Sequence, residues 1–218
     1  MDIKGIIFDM DGTLFDTEVI SLDAMVQVGK RYGVHFTQQT MLGFLGLPSV
    51  EIKRKIITLF GDDFDYVNFR KDKIAYQDAV VEKNGVPLKS GLIELLEYAR
   101  ENGIVCGVAT STSRERAEKL ISMSGVSEYF SAVVCGEDVV CGKPAPDIFL
   151  IAAERLGISP GNCIGIEDSR NGILSVSRAG MLAVLVPDLI VPDDEMKNAA
   201  DIIFENLIEV KEYISGNC

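Results

Sequence analysis

The chain's 218 residues allow one domain, or one domain with a smaller insert, and an apolar share of 47% is enough for a sizeable core. Its net charge of -12 argues against a general binder of nucleic acid or of anionic membranes, since both need a basic face. No run approaches the ~18 apolar residues of a membrane span, and no basic region followed by an apolar stretch opens the chain, so a cytoplasmic protein is expected.

The first element is the apolar run Gly5-Ile6-Ile7-Phe8, which reads as a fully buried strand. It ends in two carboxylates one residue apart, Asp9 and Asp11, followed by Gly12 and Thr13. Carboxylates at the end of a buried strand must leave water, which is costly unless something binds them. A polar turn is the plain reading. A calcium loop is a specific rival for Asp-x-Asp-Gly, but it should follow a helix, offer a third oxygen ligand before its Gly and close on a Glu. Here a strand precedes, Gly12 comes early and position 20 is Ile.

From Thr17 the spacing turns helical. Thr17 can cap a helix to about Tyr32, stopped by Gly33, and Thr37 to about Phe44 forms a short second one. Ser49 caps a third, with Ile52, Ile56, Ile57 and Phe60 at helical spacing, and a fourth runs from about Phe64 to Lys83. Residues 17–83 therefore read as an all-helical insert. Beyond Val86, strands and helices alternate. Strands are expected at Ile104–Ala109, Ala132–Cys135, Cys163–Ile166 and Leu182–Val186. Helices are expected at Ser90–Asn102, Ser113–Ser124, Pro146–Leu156 and Ser169–Ala179. Such alternation means right-handed crossovers and a parallel sheet covered on both faces, an α/β core that the first strand must join across the insert.

Polar clusters follow the strands. They are Asp9 with Asp11, Thr110-Ser111-Thr112-Ser113, Gly142-Lys143-Pro144, and Glu167-Asp168-Ser169. In open parallel sheets ligands bind outside the carboxyl ends of the strands, at the switch in strand order. Carboxylates gathered there repel one another and raise each other's pKa, which a divalent cation relieves. All-oxygen donors suit magnesium, which keeps waters and takes a phosphate oxygen. Lys143 suits a phosphate oxygen as a point charge, and a Ser or Thr hydroxyl suits another. One carboxylate is then available as nucleophile and a second as acid and base. Cys106, Cys135, Cys141, Cys163 and Cys218 show neither CxxC nor metal spacing and read as reduced thiols, and the single His35 cannot anchor a histidine metal cluster.

These motifs carry a resemblance. DMDGT at 9–13, TST around Ser111, GKPAPDIF at 142–149 and GIEDSRNGI at 165–173, in that order and spacing, resemble the haloacid-dehalogenase-like superfamily. The similarity spans essentially the whole chain and is to the phosphatase and phosphomutase branch with a helical cap after the first strand. It implies a Rossmann-like core, residues 1–16 and 84–218, and a cap, residues 17–83, that reads the substrate. It implies that Asp9 is the nucleophile and a magnesium ligand, and that Asp11 is the acid–base whose carbonyl also binds the metal. Asp168 would bind the metal, Glu167 would assist directly or through water, and Ser111, Thr112 and Lys143 would hold the phosphoryl group. Asn171, beside Gly172, would give outer support, and Arg114 and Arg116 read as solvated.

The chain departs from the β-phosphoglucomutases, which carry a His early in the cap and an Arg in the cap loop, where Ser21 and Ser49 stand here. A mutase holding a bisphosphate needs a cationic clamp. The resemblance therefore implies a magnesium-dependent phosphatase of small phosphorylated metabolites. A sugar phosphomutase is the alternative, and a non-catalytic metal- or phosphate-binding protein on the same fold is the alternative of another class. Phe15, Phe44, Leu47 and Ser49 are the expected pocket residues, an almost uncharged lining that suits a neutral polyol or nucleoside body.

Overall fold

The structure, a computed structural model, describes residues 2–44, 47 and 49–216. The chain divides into two compact units, Met1–Asp16 with Pro87–Cys218, and Thr17–Val86.

The first unit is built on six strands: β1 (Gly5–Phe8), β2 (Val105–Ala109), β3 (Phe130–Val134), β4 (Cys163–Glu167), β5 (Leu182–Leu185) and β6 (Ile202–Ile203). They form one sheet in the order β3-β2-β1-β4-β5-β6, and every neighbouring pair is parallel. The strands read as near-continuous apolar runs because both faces are covered, and Ile6, Ile7 and Phe8 have no exposed surface at all. β1 pairs with β2 on one side (Phe8 opposite Val108) and with β4 on the other (Phe8 opposite Ile166). The chain thus winds outward from β1 to β3 and then returns to β1's other flank. That reversal is the switch point at which parallel sheets open a crevice.

The second unit consists of α1 (Thr17–Arg31), α2 (Gln38–Leu42), α3 (Ser49–Phe60) and α4 (Tyr66–Asn84). Its centre is aromatic. Phe36 meets Phe60 edge-on at 5.2 Å between centroids and Phe44 at 6.0 Å, while Phe69 meets Tyr32 at 5.6 Å and Phe64 at 5.4 Å. Edge-to-face geometry sets the positive rim of one ring on the negative face of the next. Two hydroxyls tie the long helices together at the margin of this cluster: Tyr76 donates to Asp23 (2.8 Å) and Tyr32 to Asp72 (2.9 Å).

The sheet's covering helices are α5 (Leu92–Glu101), α6 (Arg114–Ser124), α7 (Asp147–Leu156), α8 (Arg170–Arg178), α9 (Asp194–Ala199) and α10 (Leu207–Ile214). α7 packs across β1, β2 and β3, α8 packs on β4 and β5, and α10 lies against α5. Gly165 in β4 allows that approach, since a Cβ there would run into Val176 of α8. Nothing beyond Val186 was expected from the sequence, yet α9, β6 and α10 complete this unit. α9 buries a single side chain, Met196, and β6 is two residues long, so neither presents a period to read.

Candidate active site

The residues at the carboxyl ends of the strands sit in loops tied to the sheet by backbone bonds. The Asp9 N–H donates to the Ile166 carbonyl (2.9 Å), so the first carboxylate leaves β1 still anchored to β4. The chain then turns sharply, with the Gly12 N–H donating to the Phe15 carbonyl (2.9 Å). Gly12 has φ +90, a region that an L side chain rarely enters, and a Cβ there would overlap the Asp168 carboxylate. The turn needs glycine on both counts.

Lys143 is the centre of the cluster. Its side chain is 6% exposed, and its Nζ donates to Asp9 Oδ1, to Glu167 Oε1 (2.6 Å) and to the Ala109 carbonyl at the end of β2 (3.0 Å). The loop that carries it is held from α8, where the buried Ser175 hydroxyl donates to the Ala145 carbonyl (2.6 Å) and Arg178 to the Pro144 carbonyl (2.8 Å). Glu167, with no exposed surface, uses its other oxygen to accept from the N–H groups of Asp168 (3.0 Å) and Ser169 (3.1 Å) and from the Ser169 hydroxyl (3.0 Å). Ser169 in turn caps α8 by accepting from the Gly172 N–H (3.1 Å). Gly172 is required by contact rather than by conformation: a Cβ there would fall inside the Glu167 carboxylate.

One carboxylate oxygen from each of Asp9, Glu167 and Asp168 lies within 4.8 Å of the others. Burial first, and the neighbouring Glu167 second, push Asp9 well above the usual carboxylate range, against the pull of Lys143. Burial alone would favour neutral Lys143, but Asp9 and Glu167 hold it protonated above its ordinary value. The carboxylates around this ammonium exceed it in charge, which adds to burial in raising Asp9 and outweighs burial in raising Lys143. A divalent cation would cancel the surplus, and an all-oxygen, carboxylate-rich donor set fits a hard one. Both Glu167 oxygens hold hydrogen bonds.

Asp11 reaches the loop after β2. Its Oδ2 accepts from the Thr112 hydroxyl at 2.7 Å, joining the loop after β1 to the loop after β2. The Thr112 N–H donates to Thr110 Oγ1 (3.0 Å).

Ser111 and Phe15, both expected at the site, differ in exposure. The buried hydroxyl at the end of β2 belongs to Thr110, which is 1% exposed and whose N–H still bonds β3 at Val134 (2.9 Å). Ser111 follows the last ladder bond, leaves the sheet and is exposed. Phe15 has no exposed surface, and its backbone bridges to Asp11 and to Leu88. Arg114, read as solvated, is tied to Asp138 and to Glu118 (3.2 Å).

In the helical unit, Phe44 is 4% exposed and belongs to the aromatic centre. With Thr40, Arg54, Lys55 and Thr58 it also lines a groove of about 530 Å³ in this unit. Leu47 is half-buried, and the side chain of Ser49 lies outside the described residues. Sequence reasoning gave no role to Ser175 or to the Ser169 hydroxyl, and it named Thr112 as a phosphate contact without its bond to Asp11. Only Ser169 left a signal, a helix-capping residue next to two carboxylates.

Residues 6–186 match the family model described as haloacid dehalogenase-like hydrolase. The chain is 34% identical over 180 residues to the fructose-1-phosphate phosphatase YqaB of Escherichia coli (strain K12), across 83% of this chain and 94% of that protein. It is 29% identical over 216 residues to the beta-phosphoglucomutase of Bacillus subtilis (strain 168), across 95% of each. It superposes on the crystal structure of beta-phosphoglucomutase from Clostridium difficile with a TM-score of 0.78 and 25% identity, covering 98% of this chain and 96% of that one.

Proposed function

Since this chain belongs to the haloacid dehalogenase-like hydrolase family, we propose that it is a magnesium-dependent phosphatase of small phosphorylated metabolites, sugar phosphates foremost. The observation that carries this reading is the cluster of Asp9, Lys143, Glu167 and Asp168 at the switch point, with Asp11 two positions beyond Asp9. Asp9 attacks phosphorus, and the P–O bond to the leaving group breaks as Asp11 gives that oxygen a proton. Asp11 then takes a proton from water, whose oxygen attacks the aspartyl-phosphate, releasing inorganic phosphate and restoring Asp9. Lys143 and the Thr110 hydroxyl hold the phosphoryl oxygens, and Lys143 aims Asp9 and pulls it toward its ionised form, a pull that bound metal would complete.

Magnesium, held by the Asp9 and Asp168 carboxylates and the Asp11 carbonyl, would supply positive charge against the phosphoryl oxygens. Glu167 acts by fixing Lys143 and the Asp168 loop. Residues 17–83 serve as a cap that excludes water and reads the leaving group, with Leu47 and Ser49 as its candidate contacts. The free cysteines Cys106, Cys135, Cys141 and Cys163 suit a reducing compartment such as the cytoplasm.

The test is phosphate release from a panel of phosphomonoesters, with magnesium and with a chelator, for wild type and Asp9→Asn. The expected result is magnesium-dependent release from sugar phosphates, lowered about 10³-fold or more in Asp9→Asn. Isomerisation of β-glucose 1-phosphate without release would overturn the reading in favour of a mutase. Metal binding with neither activity would leave a non-catalytic binding protein.

A further inference from the structure

Thr112 lies in the motif expected to hold phosphate, but its polar atoms are directed elsewhere. Its N–H is given to Thr110 Oγ1 at 3.0 Å, which closes a tight turn at the end of β2. Its hydroxyl is given to Asp11 Oδ2 at 2.7 Å, across 101 positions of sequence. A hydroxyl has one proton to give, and a carboxylate oxygen is an acceptor, so the donor in this pair is Thr112. β1 and β2 are neighbours in register, with Ile7 opposite Gly107 and Phe8 opposite Val108, so the two loops that follow them start from fixed points. The bond is therefore a strut between two anchored turns, ending on the half-buried carboxylate that the phosphatase reading makes the acid and base.

We infer that Thr112 is a positioning residue for Asp11 rather than a phosphate ligand. This rests on the phosphatase reading. A carboxyl group that must protonate a leaving oxygen has to present the same edge on every turnover, and a free Asp side chain rotates about two bonds. The Thr112 hydroxyl fixes one oxygen of Asp11 and with it the orientation of the whole group. Its contribution should then depend on how much the leaving group needs a proton. A sugar alkoxide needs it fully, whereas p-nitrophenolate is stable enough to depart without one. A ligand of the phosphoryl group would matter equally for both.

The experiment compares wild type, Thr112→Val and Thr112→Ser on an alkyl phosphomonoester such as a hexose phosphate and on p-nitrophenyl phosphate, by kcat/KM, with inhibition by inorganic phosphate as the binding readout. kcat/KM covers steps through transfer to Asp9, so later hydrolysis does not blur it. Thr112→Val is expected to lose about tenfold on the hexose phosphate, a fraction of the 10²–10⁴ that general acid catalysis supplies, and less than about twofold on p-nitrophenyl phosphate. Phosphate inhibition should be unchanged, and Thr112→Ser, which keeps the hydroxyl, should restore the hexose phosphate reaction. Equal losses on both esters, weakened phosphate inhibition, or no rescue by serine would overturn the inference while leaving the phosphatase reading intact. No release from either ester by wild type would overturn both.

Discussion

At the head of the sheet one ammonium is enclosed by two carboxylates and a carbonyl, whereas in the helical unit the enclosed groups are rings. The first arrangement is directional. Each partner of Lys143 has a defined acceptor atom, each acceptor is fixed by a strand end, and removing one leaves a charge buried without its counterpart. The second is not. Phe36, Phe60, Phe64 and Phe69 stack at several tilts and depend on area and shape, so similar rings in other arrangements would fill the same space. A reaction that needs atoms in fixed places belongs in the first kind of surroundings. A unit that need only keep its helices together can be built in the second.

The contrast is broken most severely at its two centres. Lys143→Met leaves Asp9 and Glu167 buried against each other, and it should cost about 3–5 kcal/mol in urea unfolding of the metal-free protein and abolish phosphate release. Phe69→Ala, at the ring cluster, should cost a similar ~3–5 kcal/mol by the same measurement. It should nevertheless leave the affinity for magnesium within about twofold by titration calorimetry. Loss of magnesium binding in Phe69→Ala would show that the ring cluster supports the charged site as well. A smaller effect, about 1–3 kcal/mol, is expected from Gly172→Ala, whose methyl group would push the Glu167 carboxylate off its donors. The loss of phosphate release should exceed what the loss of stability explains.

The last test uses pH. Asp9 in the folded, metal-free protein holds its proton to a higher pH than in the unfolded chain, so between those two values the folded state carries more bound protons. Asp9's contribution to stability then falls as pH rises from the ordinary carboxylate range, near ~4, through its raised value, a slope that Asp9→Asn should remove. Lys143, raised in the same cluster, stays charged throughout this window and adds no slope. Magnesium competes with the Asp9 proton. Saturating metal should flatten the dependence, and magnesium affinity should weaken on acidification, both readable from thermal melts at pH 5 and 7.5.

Much of the core was legible because its signals are local. β1, β2, β4 and β5 are apolar runs closed by turn residues, and the helices between them start at Ser113, Pro146 and Ser169 and end at Gly125, Gly157 and Ala179. The carboxylates and Lys143 were legible because charged residues at the ends of buried strands need a reason to be there. Which hydroxyl of Thr110, Ser111 and Thr112 faces inward was not. That depends on whether the ladder to β3 ends at Ala109 or one residue later, and the Thr110 N–H decides it by bonding Val134. α10 could have been read, since Leu207 and Val210 are buried at helical spacing after the capping Asn206. Ser175 could not. It sits in mid-helix, and only the fold brings it to the Ala145 carbonyl thirty positions away.

The position of β1 in the sheet also bears on how the protein is made. Of the six strands it comes first in chain order, and it lies between β2 and β4, with Ile6 opposite Cys106 on one flank and Ile164 on the other. Neither partner exists until a hundred residues or more have followed it. Closing such long loops is slow, and until then an apolar strand with both edges open is a template for mispairing. Synthesis from the amino end therefore puts the Asp9 strand at risk for longest, and mutations that delay β4 should lower the yield of soluble protein more than their effect on the finished fold would suggest.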